Sequence, residues 1–456
     1  MTYYLAIDIG ASSGRHILGS IDGGKLVLEE IYRFENGIKN QDGTLVWDIE
    51  GLLASVKAGI AECKRLGKIP KTVAIDTWGV DYVLIDGEGR EIRPCVSYRD
   101  GRTEAASKEV ARILPQSELY SRTGIQKQAF NTLYQLYCDK KSGKLDRARR
   151  FLMVPEYLSY KLTGVMKNEY TNATTTNLVN ATTKEWDFDI IDKLALPRDI
   201  FAPLSLPCDT VGNFTEEVKG EVGFDAEVIL APSHDTASAV AACPIGDDAV
   251  YISSGTWSLI GTENSAPCTS PEALRANFSN EGGIEYRYRF LKNIMGMWLF
   301  QSVRRDINKS LTYDEMMRLA QDSDFVRTVD PNDKSFVAPE SMIDAVCAYL
   351  EEPTLSLGDV LSSLYHSLAL SYKRAIEEIE RISNKEIHEI HIVGGGSRDT
   401  YLNSLTASYT GKRVFTGVME GTATGNLISQ IMKDRKITLA EAREIIKNTF
   451  EIKEFR

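Results

Sequence analysis

Two segments of this chain share one form. Residues 5–19 read LAIDIGASSGRHILG, and residues 250–261 read VYISSGTWSLIG. Each is a short apolar run, a turn of Gly and hydroxyl residues, and a second apolar run. Such a pattern closes as a β-hairpin with a small polar tip. A chain that starts twice in this way is read as two related halves.

The surroundings extend the reading. Tyr3–Asp8, His16–Gly19 and Lys25–Phe34 form a predicted three-stranded meander, with Asp22-Gly23-Gly24 as its second turn. A helical pattern opens at Trp47-Asp48 and places Leu52, Leu53, Val56 and Ile60 on one face. Buried strands are predicted at Thr72–Thr77 and Val80–Ile85. Helices are predicted over Asn131–Leu145 and Pro155–Leu162. The Thr- and Asn-rich stretch Tyr170–Lys184 reads as loop. Val228–Ala231 reads as a strand and Asp235–Ala242 as a small-residue helix. In the second half, strands at Ala249–Ile252 and Trp257–Gly261 flank the turn Ser253–Thr256. Leu357, Leu361, Leu364, Leu368, Tyr372, Ile376 and Ile379 mark a long amphipathic helix. Glu389–Val393 is a strand running into Gly394-Gly395-Gly396, with helices at Leu402–Leu405 and Gly425–Lys433. At 456 residues the chain exceeds the size of one hydrophobic core. The Pro/Gly/Asp stretch Cys243–Asp248 predicts the boundary, giving α/β domains over 1–244 and 245–456 with a cleft between them.

Charge and composition exclude several classes. A net charge of −11 disfavours a nucleic-acid partner, though backbone amides still bind a phosphorylated ligand. No apolar run is long enough to cross a membrane, and MTYYLAIDIG lacks the basic start of a secretory signal. Seven scattered cysteines without CxxC read as reduced thiols in a cytoplasmic protein. Five histidines show no zinc spacing. Oligomeric state has no signature in the sequence.

Five turns could carry chemistry. Asp8 with Ala11, Ser12, Ser13, Gly14 and Arg15 offers amides and hydroxyls to a phosphate and a carboxylate to a hydrated Mg²⁺; a plain hairpin tip has the same composition. Ser253-Ser254-Gly255-Thr256 poses the same choice. Gly394-Gly395-Gly396 lets a flat group such as adenine approach the backbone, or is a simple strand-to-helix link. In Ser233-His234-Asp235-Thr236 the carboxylate is either a general base or a helix cap. In Asp76-Thr77-Trp78-Gly79-Val80-Asp81 the indole stacks a sugar, or is a core Trp. No P-loop and no G-x-G-x-x-G is present.

Matching segments follow one another along nearly the whole chain: DIGASSGR, RFENG, WDIE, IDTWGVDYVLID, YRDGRT, FNTLYQL, YTNATTTNLVN, SHDTASAV, YISSGTWSL, NEGG, LKNIMGMWLFQ and HIVGGGSRDTYLN. Together they resemble the FGGY family of carbohydrate kinases. The resemblance implies a duplicated actin-like ATPase (ribonuclease H-like) fold, with ATP and sugar meeting in the interdomain cleft. It implies ATP-dependent phosphorylation of the 1-hydroxyl of L-rhamnulose, with Mg²⁺ accompanying the nucleotide. Carried over by residue, Ala11 to Arg15 match the loop that holds the ATP phosphates, and Thr256, Gln301 and Gly395 match further nucleotide contacts. Gly79, His234, Asp235, Thr236 and Asn293 match sugar contacts, Asp235 being the base. Asp8 is the candidate nearest the metal. Many kinases of this kind carry Thr where this loop has Ala11, which leaves the phosphates to Ser12, Ser13 and backbone amides. Two rival readings are a kinase for another ketose, such as L-fuculose or a pentulose, and a non-catalytic actin-like ATP-binding protein.

Overall fold

The structure, a computed structural model, describes residues 1–418 and 420–456. The chain divides into two compact units. The first comprises Met1–Pro244, Asn264–Phe290 and Gly421–Thr449, and the second Ile245–Glu263, Leu291–Glu420 and Phe450–Arg456.

The main sheet of the first unit contains β1 (Tyr3–Ile9), β2 (Ser13–Asp22), β3 (Lys25–Glu35), β4 (Pro70–Thr77), β5 (Thr210–Asn213) and β6 (Glu227–Ile229). Their spatial order is β5–β6–β4–β1–β2–β3. The first three form the antiparallel meander expected from the sequence. β4 joins β1 in parallel, with Asp8 opposite Asp76. A parallel strand is covered on both faces, so β1 reads as a continuous apolar run and Leu5, Ala6 and Ile7 are buried. One cover is the helix Ile49–Arg65, which buries Leu52, Val56 and Ile60 and starts where the Asp48 carboxylate accepts from the Gly51 N–H.

Another helix, Gly421–Arg435, carries Asn426 and Gln430 into the first unit. Gln430 Nε2 donates to the Leu5 carbonyl at 3.0 Å, and Asn426 Nδ2 donates to Asp76 at 2.6 Å. It crosses the helix Asp235–Ala241 backbone to backbone. A Cβ on Gly425 would lie 1.7 Å from the Ser238 carbonyl oxygen, so only glycine allows this approach.

The stretch from Tyr170 corrects the loop expectation. Tyr170–Thr174 is a short helix, and residues 170–179 are buried. Composition misleads here because the polar groups are satisfied locally. Thr174, Thr175 and Thr176 return their hydroxyls to the carbonyls of Thr171, Asn172 and Ala173, and the Glu169 carboxylate caps the helix start.

The second unit repeats the plan. It contains β7 (Ala249–Ser254), β8 (Trp257–Asn264), β9 (Tyr288–Met295, of which Leu291 onward belongs here), β10 (Glu389–Val393), β11 (Arg413–Thr416) and β12 (Lys453–Phe455). The order is β9–β8–β7–β10–β11–β12. β7 and β8 form the second hairpin, and β10 lies parallel to β7 as β4 does to β1. The repeat therefore extends beyond the hairpin to its parallel neighbour. The long helix spans Leu357–Ser383 and opens with a capping box between Ser356 and Asp359. Among the described residues no helix is long and apolar enough to cross a membrane.

The Gly425 crossing makes a direct prediction. Gly425→Ala forces a methyl into a backbone contact, and the expected cost is about 1–3 kcal/mol in chemical denaturation. Wild-type stability in this variant would show that the two helices can separate freely.

Candidate functional site in the first unit

Strand register builds the site. Asp8 lies near the end of β1, between Arg15 on β2 and Asp76 on β4. The Arg15 guanidinium donates to Asp8 Oδ2 from Nε at 3.0 Å and from Nη2 at 2.8 Å. Arg15 thus pairs with Asp8. Asp76 is fully buried. Its Oδ2 accepts from Asn426, while Oδ1 has no hydrogen-bond partner among the described residues. Burial, and then the Asp8 carboxylate beside it, push the Asp76 carboxyl well above the usual range.

The tip of the first hairpin is pinned by its carbonyls. Gly10 N–H donates to the Ser13 carbonyl at 2.9 Å, and Asn36 donates to the carbonyls of Ser12 and Gly10 at 3.0 and 2.9 Å. The N–H groups of Ala11 and Ser12 find no acceptor among the described residues. Anchored carbonyls with unspent amides make an anion cradle.

The loop Ser233–Asp235 runs beside the end of β4, where Thr77 N–H donates to the Ser233 carbonyl at 2.9 Å. Ser233 Oγ is hydrogen-bonded to Glu156 and Glu169, both fully buried. Burial, and then the Glu169 charge, push the Glu156 carboxyl up to about 8. His234, and neither Ser233 nor Asp235, occupies the cap position of the following helix, and its side chain makes no capping bond. Asp235 is therefore not a helix cap. Its Oδ1 accepts from Thr236 Oγ1 at 3.0 Å and lies 3.5 Å from His234 Nε2. Oδ2 has no partner among the described residues, and the side chain is 32% exposed. One oxygen is held and the other is open, which suits a proton acceptor.

The Trp78 turn departs from the sugar-stacking option. Trp78 is 7% exposed and packs on Trp47 with ring centroids 4.1 Å apart. Asp81 accepts from both indoles at 2.6 and 3.0 Å and from Gln135 at 3.1 Å. These groups hold the turn rather than a ligand. The turn is strained: Val80 has φ +68°, a conformation that a β-branched residue rarely adopts. Thr175 Oγ1 accepts its N–H at 3.1 Å, and Thr132 donates to its carbonyl at 2.7 Å. Gly79 is thereby presented as partly exposed backbone.

The remaining predicted residues lie in the second unit. Thr256 is exposed at the tip of the β7–β8 hairpin; its carbonyl accepts from Gly296 and Trp298 at 3.1 Å, and its hydroxyl has no partner among the described residues. Gly395 is exposed, and a Cβ added there would meet nothing within 4 Å. Gly394 just before it has φ +88°, and a Cβ there would lie 2.7 Å from the Ser254 carbonyl oxygen, so the glycine turn lies against the second hairpin. Gln301 is exposed on the helix Trp298–Asp306. Asn293 Oδ1, on β9, is buried without a partner among the described residues.

Sequence reading missed Glu156, Glu169, Glu281 and Arg289. The last two contact His234: Arg289 Nη2 is 3.1 Å from Nδ1, and Glu281 Oε2 is 3.4 Å from it. No spacing signal links residues so far apart in the chain.

Residues 3–242 match the N-terminal domain of the FGGY family of carbohydrate kinases, and residues 250–433 match its C-terminal domain. The chain belongs to this family. Its relatives include the rhamnulokinase of Halalkalibacterium halodurans, 46% identical over 100% of this chain and 99% of that protein. The rhamnulokinase of Oceanobacillus iheyensis is 44% identical over 98% of this chain and 97% of its own. That of Bacillus subtilis is 40% identical over 99% and 95%. Among solved structures, a ligand-bound xylulose kinase from Lactobacillus acidophilus superposes with a TM-score of 0.83 at 17% identity, covering 100% of this chain and 94% of that one. Plasmodium falciparum glycerol kinase with ADP gives 0.79 at 13% identity, covering 99% and 94%. The fold is that of the two-domain FGGY kinases, and the protein is a carbohydrate kinase.

Glu156 makes the site's support sensitive to pH. Its folded pKa lies above its unfolded value of 4.5, so its contribution is complete below 4.5 and is lost as pH rises towards 8. Across that window wild-type stability is expected to fall by on the order of 1 kcal/mol per pH unit from this group, and Glu156→Gln is expected to flatten the slope. Parallel profiles for the two proteins would remove Glu156 from this role.

Proposed function

We propose that this kinase transfers the γ-phosphoryl group of ATP to the 1-hydroxyl of L-rhamnulose, giving L-rhamnulose 1-phosphate and ADP. Support comes from the name shared by the full-length relatives and, in the site, from the half-engaged carboxylate of Asp235. That carboxylate is the observation on which the reading rests.

Phosphoryl transfer asks little covalent chemistry of the protein and depends on position and charge. Asp235 Oδ2 takes the hydroxyl proton while Thr236 and His234 hold Oδ1. Gly79, His234, Thr236 and Asn293 bind the sugar. The unspent amides at Ala11 and Ser12, with Ser13 and Gly14, bind phosphate oxygens, and Arg15 acts through its pair with Asp8. Thr256, Gln301 and Gly395 bind the rest of the nucleotide. The charges of Asp8, Asp235 and Arg15 all act on Asp76, and this gathering of carboxylates fits a divalent ion. Asp8 is the carboxylate assigned to Mg²⁺, which would offset phosphate charge there. Among the described residues no three acidic, His or Cys side chains gather as a metal cage. An ion carried by the nucleotide needs only one or two carboxylates. This reading places the enzyme in the cytoplasm, the compartment of its cosubstrate.

The test is ADP release with L-rhamnulose, L-fuculose and a pentulose. The highest kcat/KM is expected with L-rhamnulose. A preference for another ketose would reassign the substrate, and slow turnover indifferent to sugar would end the kinase reading. Asp235→Asn is expected to lower kcat by about 10²–10⁴ with KM little changed. Near wild-type turnover would remove the base.

A further inference from the structure

Arg289 lies on β9 and its side chain is 0% exposed. Its Nε donates to the Gly282 carbonyl at 2.9 Å, and its Nη2 lies 3.1 Å from both His234 Nδ1 and Glu281 Oε2. A guanidinium carries donors only. Towards Arg289, His234 Nδ1 can act only as acceptor, which leaves the ring hydrogen on Nε2. That nitrogen is the one 3.5 Å from Asp235 Oδ1.

Glu281 pulls the other way. Its Oε2 is 3.4 Å from the same Nδ1 and would accept a hydrogen from it. Burial works to raise the Glu281 carboxyl, but its surroundings, the Arg289 charge foremost, outweigh it and hold it down to about 2. The site thus presents an ionised carboxylate and a guanidinium to one ring nitrogen, and the nearer group is the cation. We infer that Arg289 is a positioning residue that fixes His234 as its Nε2–H tautomer and so turns a neutral donor, rather than a charged one, towards Asp235.

The consequence concerns the base. Oδ1 then receives two neutral donors, Thr236 and His234, and Oδ2 keeps its affinity for the sugar proton. Without Arg289, Nδ1 faces the Glu281 carboxylate alone. An opposite charge at this distance favours the charged ring. An imidazolium beside Asp235 would hold it ionised and weaken it as a base. The charged groups around His234 are Asp235, Glu281 and Arg289. Asp76, Asp8 and Arg15 lie beyond Asp235, and Glu156 and Glu169 lie beneath Ser233. This inference rests on Asp235 being the base; the tautomer itself does not.

The experiment uses the full chain labelled with ¹⁵N at histidine. Long-range ¹H–¹⁵N correlation reads which nitrogen of each ring carries hydrogen, and His234→Gln assigns the signal. Wild-type His234 is expected to carry hydrogen on Nε2 alone at neutral pH. In Arg289→Met the ring is expected to gain hydrogen on Nδ1, and the acid limb of kcat/KM to move up by about one pH unit. Arg289→Lys, still a donor-only cation, is expected to restore both readouts. Hydrogen on Nδ1 in the wild type would overturn the inference. So would an Arg289→Met enzyme with unchanged tautomer and a rate lowered evenly at every pH. If Arg289→Met does not fold, the wild-type and Arg289→Lys spectra decide. The expected tautomer in a chain that phosphorylates no ketose would sink the functional reading and leave the assignment intact.

Discussion

The parallel pairing of β1 with β4 is the constraint from which the candidate site follows. In-register hydrogen bonding places Asp8 beside Asp76, and the hairpin partner of β1 places Arg15 on the other side. Acidic groups so close and so buried repel one another, and Arg15 and the Asn426 amide answer them. The cost of this arrangement is borne by the continuous apolar packing of Leu5, Ala6 and Ile7 immediately below. A site of concentrated charge is held at the end of a dry strand, where β1 leaves the core for the loop at Gly10.

The two hairpins show how one plan serves two uses. In the first, the carbonyls of Gly10 and Ser12 are taken by Asn36 and that of Ser13 by the Gly10 N–H. In the second, those of Gly255 and Thr256 are taken by Met297, Gly296 and Trp298. Different residues do the same work: they consume acceptors and leave donors. The glycines and hydroxyls of the tips make the bends possible, and the anchors outside them decide which face of the peptide is offered.

Much of the fold was legible because its signals are local. The meander, the helix after Asp48, the long amphipathic helix over Leu357–Ser383 and the strand before Gly394 each depend on residues within a few positions of one another. The stretch after Glu169 was not legible, because Thr and Asn are read as solvent-facing unless their return bonds are known. The turn at Trp78 had the composition of a sugar platform, yet Trp47 lies on one face of that indole and Asp81 takes its N–H. At the site, Asp235 and His234 were visible as neighbours in the chain. Glu281 and Arg289 were not, since only folding brings them to the imidazole.

The composition of the first unit has a consequence for biosynthesis. Its core includes Asn264–Phe290 and Gly421–Thr449 as well as everything before Ile245. A ribosome must therefore emit almost the whole polypeptide before Asn426 can reach Asp76, and well past the midpoint before Arg289 can reach His234. The nascent first half waits with an unfinished interior, exposed to chaperones and proteases, until the final helices arrive. Truncation near Pro244 would leave this unit unfinished, although the sequence break there looks like a natural place to cut.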